Sequence, residues 1–131
     1  YRVLVKGEAP ALKSDMVFDC LDIKPIVREV CDSLDHKLLL PKENDRLKFF
    51  DKGNNMEIIT PDESLFSRPK SDILLLPIEN TSAERLAIYI NEQIRTLVKT
   101  RFHFIFSTLE IEVEETPGQS AVYLHREEND I

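Results

Sequence analysis

Residues 2–7 (RVLVKG) alternate apolar and polar side chains and are rich in β-branched valine, the period of a half-buried strand. Residues 8–14, with Pro10, read as loop, and residues 16–19 as a short extended piece. The period then changes. Ile23, Ile26, Val27, Val30, Cys31 and Leu34 recur at spacings of three and four, which predicts a helix over residues 23–34. Asp22 is placed to cap it, and Pro25 falls in its first turn, where proline is tolerated. Cys31 lies on the apolar stripe and reads as a core thiol. Residues 37–70 are the least regular stretch. Within them, residues 47–50 and 56–60 flank Asp51-Lys52-Gly53-Asn54-Asn55, a hairpin turn signal, and residues 62–71 read as loop. Residues 73–76, apolar throughout and closed by Pro77, predict a short buried strand. Thr81-Ser82-Ala83-Glu84 fits a capping box with Thr81 at the N-cap. It opens a second helix whose inner stripe is Ala83, Leu86, Ala87, Ile90, Ile94 and Leu97, ending near Lys99. Residues 102–115 predict a long strand, Thr116-Pro117-Gly118-Gln119 a turn, and residues 120–126 the return strand. The acidic residues 126–131 predict a fraying tail. This order is that of an α+β domain with two helices on one face of an antiparallel sheet.

Composition narrows the function classes. The chain has 131 residues, suited to a single domain over residues 1–131 with enough surface to bury a core. Its formal net charge is −7, which argues against nonspecific binding to nucleic acid or to an anionic membrane. No apolar run approaches a membrane span and no secretory leader pattern is present. Two cysteines, Cys20 and Cys31, do not make a disulfide scaffold, so a cytoplasmic setting is expected. The chain opens on Tyr1 and goes directly into a strand, which leads us to expect a preceding segment.

Three sets of residues are candidates for chemistry. From 109 to 115 the chain reads Leu-Glu-Ile-Glu-Val-Glu-Glu. Strict alternation places Leu109, Ile111 and Val113 on the core face with Glu115 at its rim, and Glu110, Glu112 and Glu114 on a solvated face. A carboxylate at the rim of an apolar face suits a ligand that offers paired donors, such as the ring N–H and exocyclic amine of a pterin or guanine. The same letters also fit a strand that ends one residue earlier and leaves Glu115 in water. Asp35-His36, just past the first helix, joins a neutral-pH proton shuttle to a carboxylate that can fix its tautomer. A histidine there also has a plain structural reading as a partner of the helix C-terminus. The remaining histidines, His103 and His125, lie on separate strands with no metal-ligand spacing. The three glycines form no phosphate-cradling loop.

Met16-Val17-Phe18-Asp19, Leu21-Asp22-Ile23-Lys24, Leu34-Asp35-His36-Lys37, Asn80-Thr81-Ser82-Ala83-Glu84 and Glu115-Thr116-Pro117, in that order, resemble the 6-pyruvoyl tetrahydropterin synthase and 6-carboxy-tetrahydropterin synthase family. Each motif is short; their order and placement relative to the two helices make the set specific. The resemblance leaves residues 42–70 uncovered, an insert of uncertain structure. It implies the T-fold, whose subunits close barrels as trimers stacked into hexamers with sites between subunits. It implies a lyase acting on dihydroneopterin triphosphate, with a zinc ion on three histidines, a cysteine base and an Asp-His pair. One branch eliminates triphosphate to a pyruvoyl product. The queuosine branch releases acetaldehyde and leaves a carboxylate.

Carried over by motif, Asp35 and His36 match the catalytic pair and Glu115 matches the pterin-gripping glutamate. Ser82 falls where relatives have a threonine near the pterin, and Glu84 matches the glutamate after it. The family's zinc histidines and catalytic cysteine precede a strand like residues 1–3, so no metal ligands are found in this sequence. Cys20 does not replace that cysteine, since relatives usually have an aromatic residue there. Two readings therefore compete with the lyase. One is an inert T-fold paralogue that binds a pterin or purine or serves as a scaffold. The other is a different T-fold enzyme, such as a cyclohydrolase or aldolase relative, against which the Asp-His pair argues. A cysteine and three histidines upstream of Tyr1 would favour the enzyme.

Overall fold

The structure is a computed structural model that describes residues 1–8, 20–35 and 37–127. The loop expected over 8–14 lies mostly outside those residues. The extended piece over 16–19, His36 and the tail from 128 lie wholly outside them. The chain divides into two compact units, Tyr1–Ser33 with Ser82–Ile131, and Leu34–Thr81.

The first unit is built on a three-stranded antiparallel sheet of β1 (Arg2–Glu8), β7 (Thr108–Thr116) and β8 (Gln119–Arg126) in the order β1-β7-β8. Among the described residues two helices accompany it, α1 (Cys20–Leu34, its last residue passing into the second unit) and α2 (Ala83–Phe102). Alternation along β7 sorts its faces as the sequence predicts. Leu109, Ile111 and Val113 are fully buried, while Glu110, Glu112 and Glu114 are half-buried on the other face. Val3 faces Val113 and Val5 faces Ile111 across the β1 pairing, so the apolar rows of the two strands coincide. Helix α2 lies on this core with Leu86, Ala87, Ile90, Ile94 and Val98 buried, each at most 2% exposed.

Several element ends differ from expectation. Helix α1 starts at Cys20, so Asp22 lies inside its first turn and is not its cap. Pro25 then falls in the second turn, where its missing N–H removes one intrahelical bond. On the α1 stripe Ile26 and Val30 are buried, while Ile23, Val27 and Leu34 are half-buried, and so is Cys31, where the sequence predicts a core thiol. Burial pushes the Cys31 thiol up from its ordinary pKa, and the nearby Asp32 charge adds to the shift. Helix α2 runs three residues beyond Lys99. It closes on His103, whose left-handed backbone (φ 52°) lets its N–H donate to the Lys99 carbonyl at 3.0 Å. The strand expected from 102 therefore starts at Thr108. Between helix and strand, Phe104 and Phe106 meet edge to face, with ring centroids 5.0 Å apart. Arg101 grips Glu29 through both guanidinium nitrogens at 2.6 and 3.0 Å, tying α2 to α1.

Gly7 is where the Phe106 ring crosses β1. A Cβ there would meet Phe106 Cε1 at 2.9 Å, closer than side chains pack. Phe106 is 6% exposed and has little room to move. Gly7→Ala is therefore expected to cost about 1–3 kcal/mol, the usual range for overpacking, read as a lower urea midpoint with an unchanged m-value.

The second unit holds a parallel pair, β2 (Leu38–Pro41) with β6 (Ile73–Leu76), and an antiparallel meander of β3 (Lys48–Lys52), β4 (Asn55–Ile59) and β5 (Leu65–Pro69). The hairpin expected around Gly53 is present. Gly53 has φ 70°, and its N–H donates to the Asp51 carboxylate at 3.2 Å. The stretch read as loop over 62–71 instead contains β5 and a 3-10 turn, Lys70–Asp72. Every residue of β5 is exposed, so burial left no periodicity to find in its letters. Lys70 Nζ closes the meander on Asp51 at 2.5 Å and holds that carboxyl below its usual range.

Candidate functional site

The buried Asn91 of α2 sets how the helix lies on the sheet. Its Nδ2 donates to the Leu109 carbonyl at 2.8 Å, so mid-helix meets the start of β7. The short connection over 103–107 makes α2 antiparallel to β7. Ser82 is nine residues back along the helix, about 14 Å at 1.5 Å per residue. Glu115 is six residues on along the strand, about 20 Å at 3.3 Å per residue. The N-terminus of α2 and the far end of β7 therefore stand at one end of this unit, and that end carries Ser82, Glu84 and Glu115.

Glu115 falls on an irregularity. Glu114 pairs with Ser120 and Thr116 with Gln119, so Glu115 is the unmatched residue of a β-bulge. The alternation that buries Leu109, Ile111 and Val113 stops there, and Glu115 is exposed. Bulges re-aim a side chain at a strand end, which face counting does not capture. Across the β1 pairing, the Tyr1 hydroxyl lies 3.5 Å from Glu115 Oε1. Partial burial raises the Tyr1 phenol above its ordinary pKa. The Glu115 charge, and its acceptance of the hydroxyl proton, add to this. No sequence motif marks Tyr1; its signal is the register, since pairing Arg2 with Glu114 brings the preceding residue to Glu115.

Ser82, not Thr81, is the N-cap of α2. Its Oγ accepts from Arg85 N–H at 3.3 Å, and its carbonyl accepts from Leu86 N–H at 3.0 Å. Glu84 is thus the second helical residue, one short of the position a capping box requires. It is exposed in the first turn, where a carboxylate complements the helix dipole. Asp35 is exposed in the turn between α1 and β2, in the second unit, and His36 lies outside the described residues. Ser82, Glu84 and Glu115 thus lie toward the same end of the first unit, where the Tyr1 hydroxyl approaches Glu115.

Among the described residues, no group of three or more His, Cys, Asp or Glu is placed to hold a metal ion. His103 serves as a helix cap, and His125 Nε2 lies 3.2 Å from Glu127 Oε2. These residues do not form a zinc centre. No helix among the described residues is long and apolar enough to cross a membrane.

An antiparallel sheet accompanied by two helices is the T-fold arrangement. Residues 1–126 match the 6-pyruvoyl tetrahydropterin synthase family, and the chain belongs to that family. A Methanocaldococcus jannaschii protein provisionally named 6-carboxy-5,6,7,8-tetrahydropterin synthase is 36% identical over 107 residues, 82% of this chain and 65% of that protein. A Pyrococcus horikoshii protein with the same provisional name is 28% identical over 72% of this chain and 54% of its own length. The chain thus spans between half and two thirds of these relatives. Among solved structures, the 6-pyruvoyl tetrahydropterin synthase of Plasmodium vivax superposes with a TM-score of 0.80 at 29% identity, covering 95% of this chain and 76% of that one. The Plasmodium falciparum enzyme gives 0.78 at 34% identity with the same coverage. A match over 95% of the chain takes in most of residues 42–70, which the short motifs left uncovered.

Proposed function

We propose that the chain is the pterin-binding part of a lyase of the tetrahydropterin synthase type acting on dihydroneopterin triphosphate. The observation that carries this reading is Glu115, an exposed carboxylate on a bulge at the end of the central strand, in a chain of this family. Its two oxygens suit the ring N–H and exocyclic amine of a pterin, with the Tyr1 hydroxyl beside one of them. Ser82 and Glu84, at the same end, are the next residues we assign to the substrate. We assign proton transfer at the pterin side chain to His36, with Asp35 fixing its tautomer. Triphosphate leaves on either route; the pyruvoyl route stops there, and the carboxy route also takes up a water and releases the two outer carbons as acetaldehyde, leaving the carboxylate.

Zinc is expected of the intact protein from the family, with ligands other than the residues described. The proton-transferring side chain need not be cysteine. Two structures of the Plasmodium vivax enzyme carry replacements of a glutamate described as a catalytic residue. Assembly into trimers or hexamers is part of the same proposal. Both sheet edges, β1 and β8, are free to pair beyond β7 among the described residues, and barrel closure would remove them. We place the protein in the cytoplasm.

The test is to incubate the intact protein, zinc-loaded, with dihydroneopterin triphosphate and to follow triphosphate release and the pterin product. Release of triphosphate with a tetrahydropterin product is expected. Tight pterin binding with no turnover would replace the lyase by an inert pterin binder.

A further inference from the structure

At the opposite end of the first unit, Asn91, Arg95 and Lys99 recur every fourth residue and so share one face of α2. The face runs from core to surface: Asn91 is fully buried, Arg95 half-buried and Lys99 exposed. Asn91 spends its amide on the Leu109 carbonyl and accepts from Arg95 Nε at 2.6 Å through Oδ1. The guanidinium is thereby fixed from one side by a side chain that cannot move. No carboxylate among the described residues pairs with Arg95 or Lys99. Both line a groove of about 240 Å³ together with Thr96, Phe104, Phe106 and Glu127. Glu127, the acid of this lining, is engaged with His125 Nε2 at 3.2 Å.

We propose that this groove binds a phosphate-bearing small molecule, with Arg95, Thr96 and Lys99 as its anion-holding residues. A guanidinium fork, an ammonium and a hydroxyl-bearing side chain on adjoining positions offer donors from several directions. That suits a tetrahedral oxyanion better than a planar carboxylate, which the fork alone would satisfy. The Phe104 and Phe106 rings give the groove an apolar wall that limits water around the charges and can cover an organic substituent. Basic residues that only complement the helix C-terminus need no orienting partner; the buried Asn91 is what a merely solvated Arg95 would not require. The site is separate from the proposed pterin end, since Arg95 is eleven residues from Glu84, about 16 Å along the helix axis.

The experiment is a calorimetric titration of the full chain at low ionic strength with inorganic phosphate and with tripolyphosphate, read in parallel by amide chemical shifts. Saturable binding is expected, with shifts at Arg95, Thr96, Lys99 and residues 104–106. Arg95→Met should weaken it tenfold or more and Lys99→Met about threefold. Lys6→Met, which removes the same charge from an exposed position on β1 outside the groove, should leave it unchanged. If Arg95→Met loses its near-ultraviolet dichroism, the exposed Lys99→Met decides alone. The proposal is overturned if no saturable binding occurs, or if acetate binds as tightly as phosphate. It is overturned equally if Lys6→Met weakens binding as much as the groove variants do. Shifts confined to residues 82–84 and 115 would also overturn it, by placing the anion at the pterin end.

Discussion

Glu115→Gln is expected to weaken binding of a pterin ligand about a hundredfold or more. If the carboxylate accepts two hydrogen bonds from the pterin edge, each contributes about 1.5–3 kcal/mol. The amide keeps the shape but turns one acceptor into a donor that faces a donor. A loss of about 2.8 kcal/mol is a factor of about a hundred in affinity. Folding should be unaffected, because Glu115 is exposed at the strand end and packs nothing into the core. Glu114→Gln is the comparison. Glu114 stands on the far face, half-buried in the row with Glu110 and Glu112, and its change should leave affinity nearly as it was. The pair also reads the bulge, since a residue unmatched in the ladder can be re-aimed to either face. Weakening by Glu114→Gln alone would shift the pterin contact by one residue, and weakening by neither would end the assignment.

His36→Gln should lower kcat about a hundredfold to ten-thousandfold, the span that positioned acid–base groups supply, with KM little changed. Asp35→Asn should act in the same direction and more weakly, since it leaves the imidazole but removes the group that fixes its tautomer. Steady-state rates against pH make the distinction: Asp35→Asn should also displace the limb of the profile that reports the imidazole. A raised KM in both variants with kcat unchanged would make the pair a binding element and remove it from the chemistry.

The readable parts of this molecule are those where burial imposes a period. Leu109, Ile111 and Val113 announce their strand because one side of it is dry, and Ile26 and Val30 announce α1 for the same reason. Where burial fades, the signal fades with it. Strand β5 is exposed at every position, and its letters read as loop. The bulge at Glu115 breaks the alternation by backbone geometry that no side-chain pattern records. At the start of α2, Thr81 and Ser82 are chemically equivalent caps, and only the backbone decides that Ser82 Oγ meets the Arg85 N–H. Asn91 escapes the pattern because a polar residue inside an apolar stripe looks like an interruption. Its purpose is visible only once the Leu109 carbonyl arrives beside it. Of the candidate site, the motifs supply Glu115, Ser82, Glu84, Asp35 and His36, whereas Tyr1 requires the register between the first strand and the seventh.

That register also dictates an order of events. The β1–β7 ladder joins residues far apart in the sequence: Ser107 Oγ donates to the Glu8 carbonyl across 99 residues, and Tyr1 reaches Glu115 across 114. The β7–β8 hairpin and the β3–β4–β5 meander close over short loops, and the meander is made well before β7. Strand β1 leaves the ribosome long before β7, and this ladder cannot form until everything between them is synthesised. Non-local pairing of this kind slows folding, because loop closure must precede any gain from the contacts. Until β7 arrives, the valine-bearing β1 lacks this ladder, and transiently exposed strands of this kind are what chaperones cover.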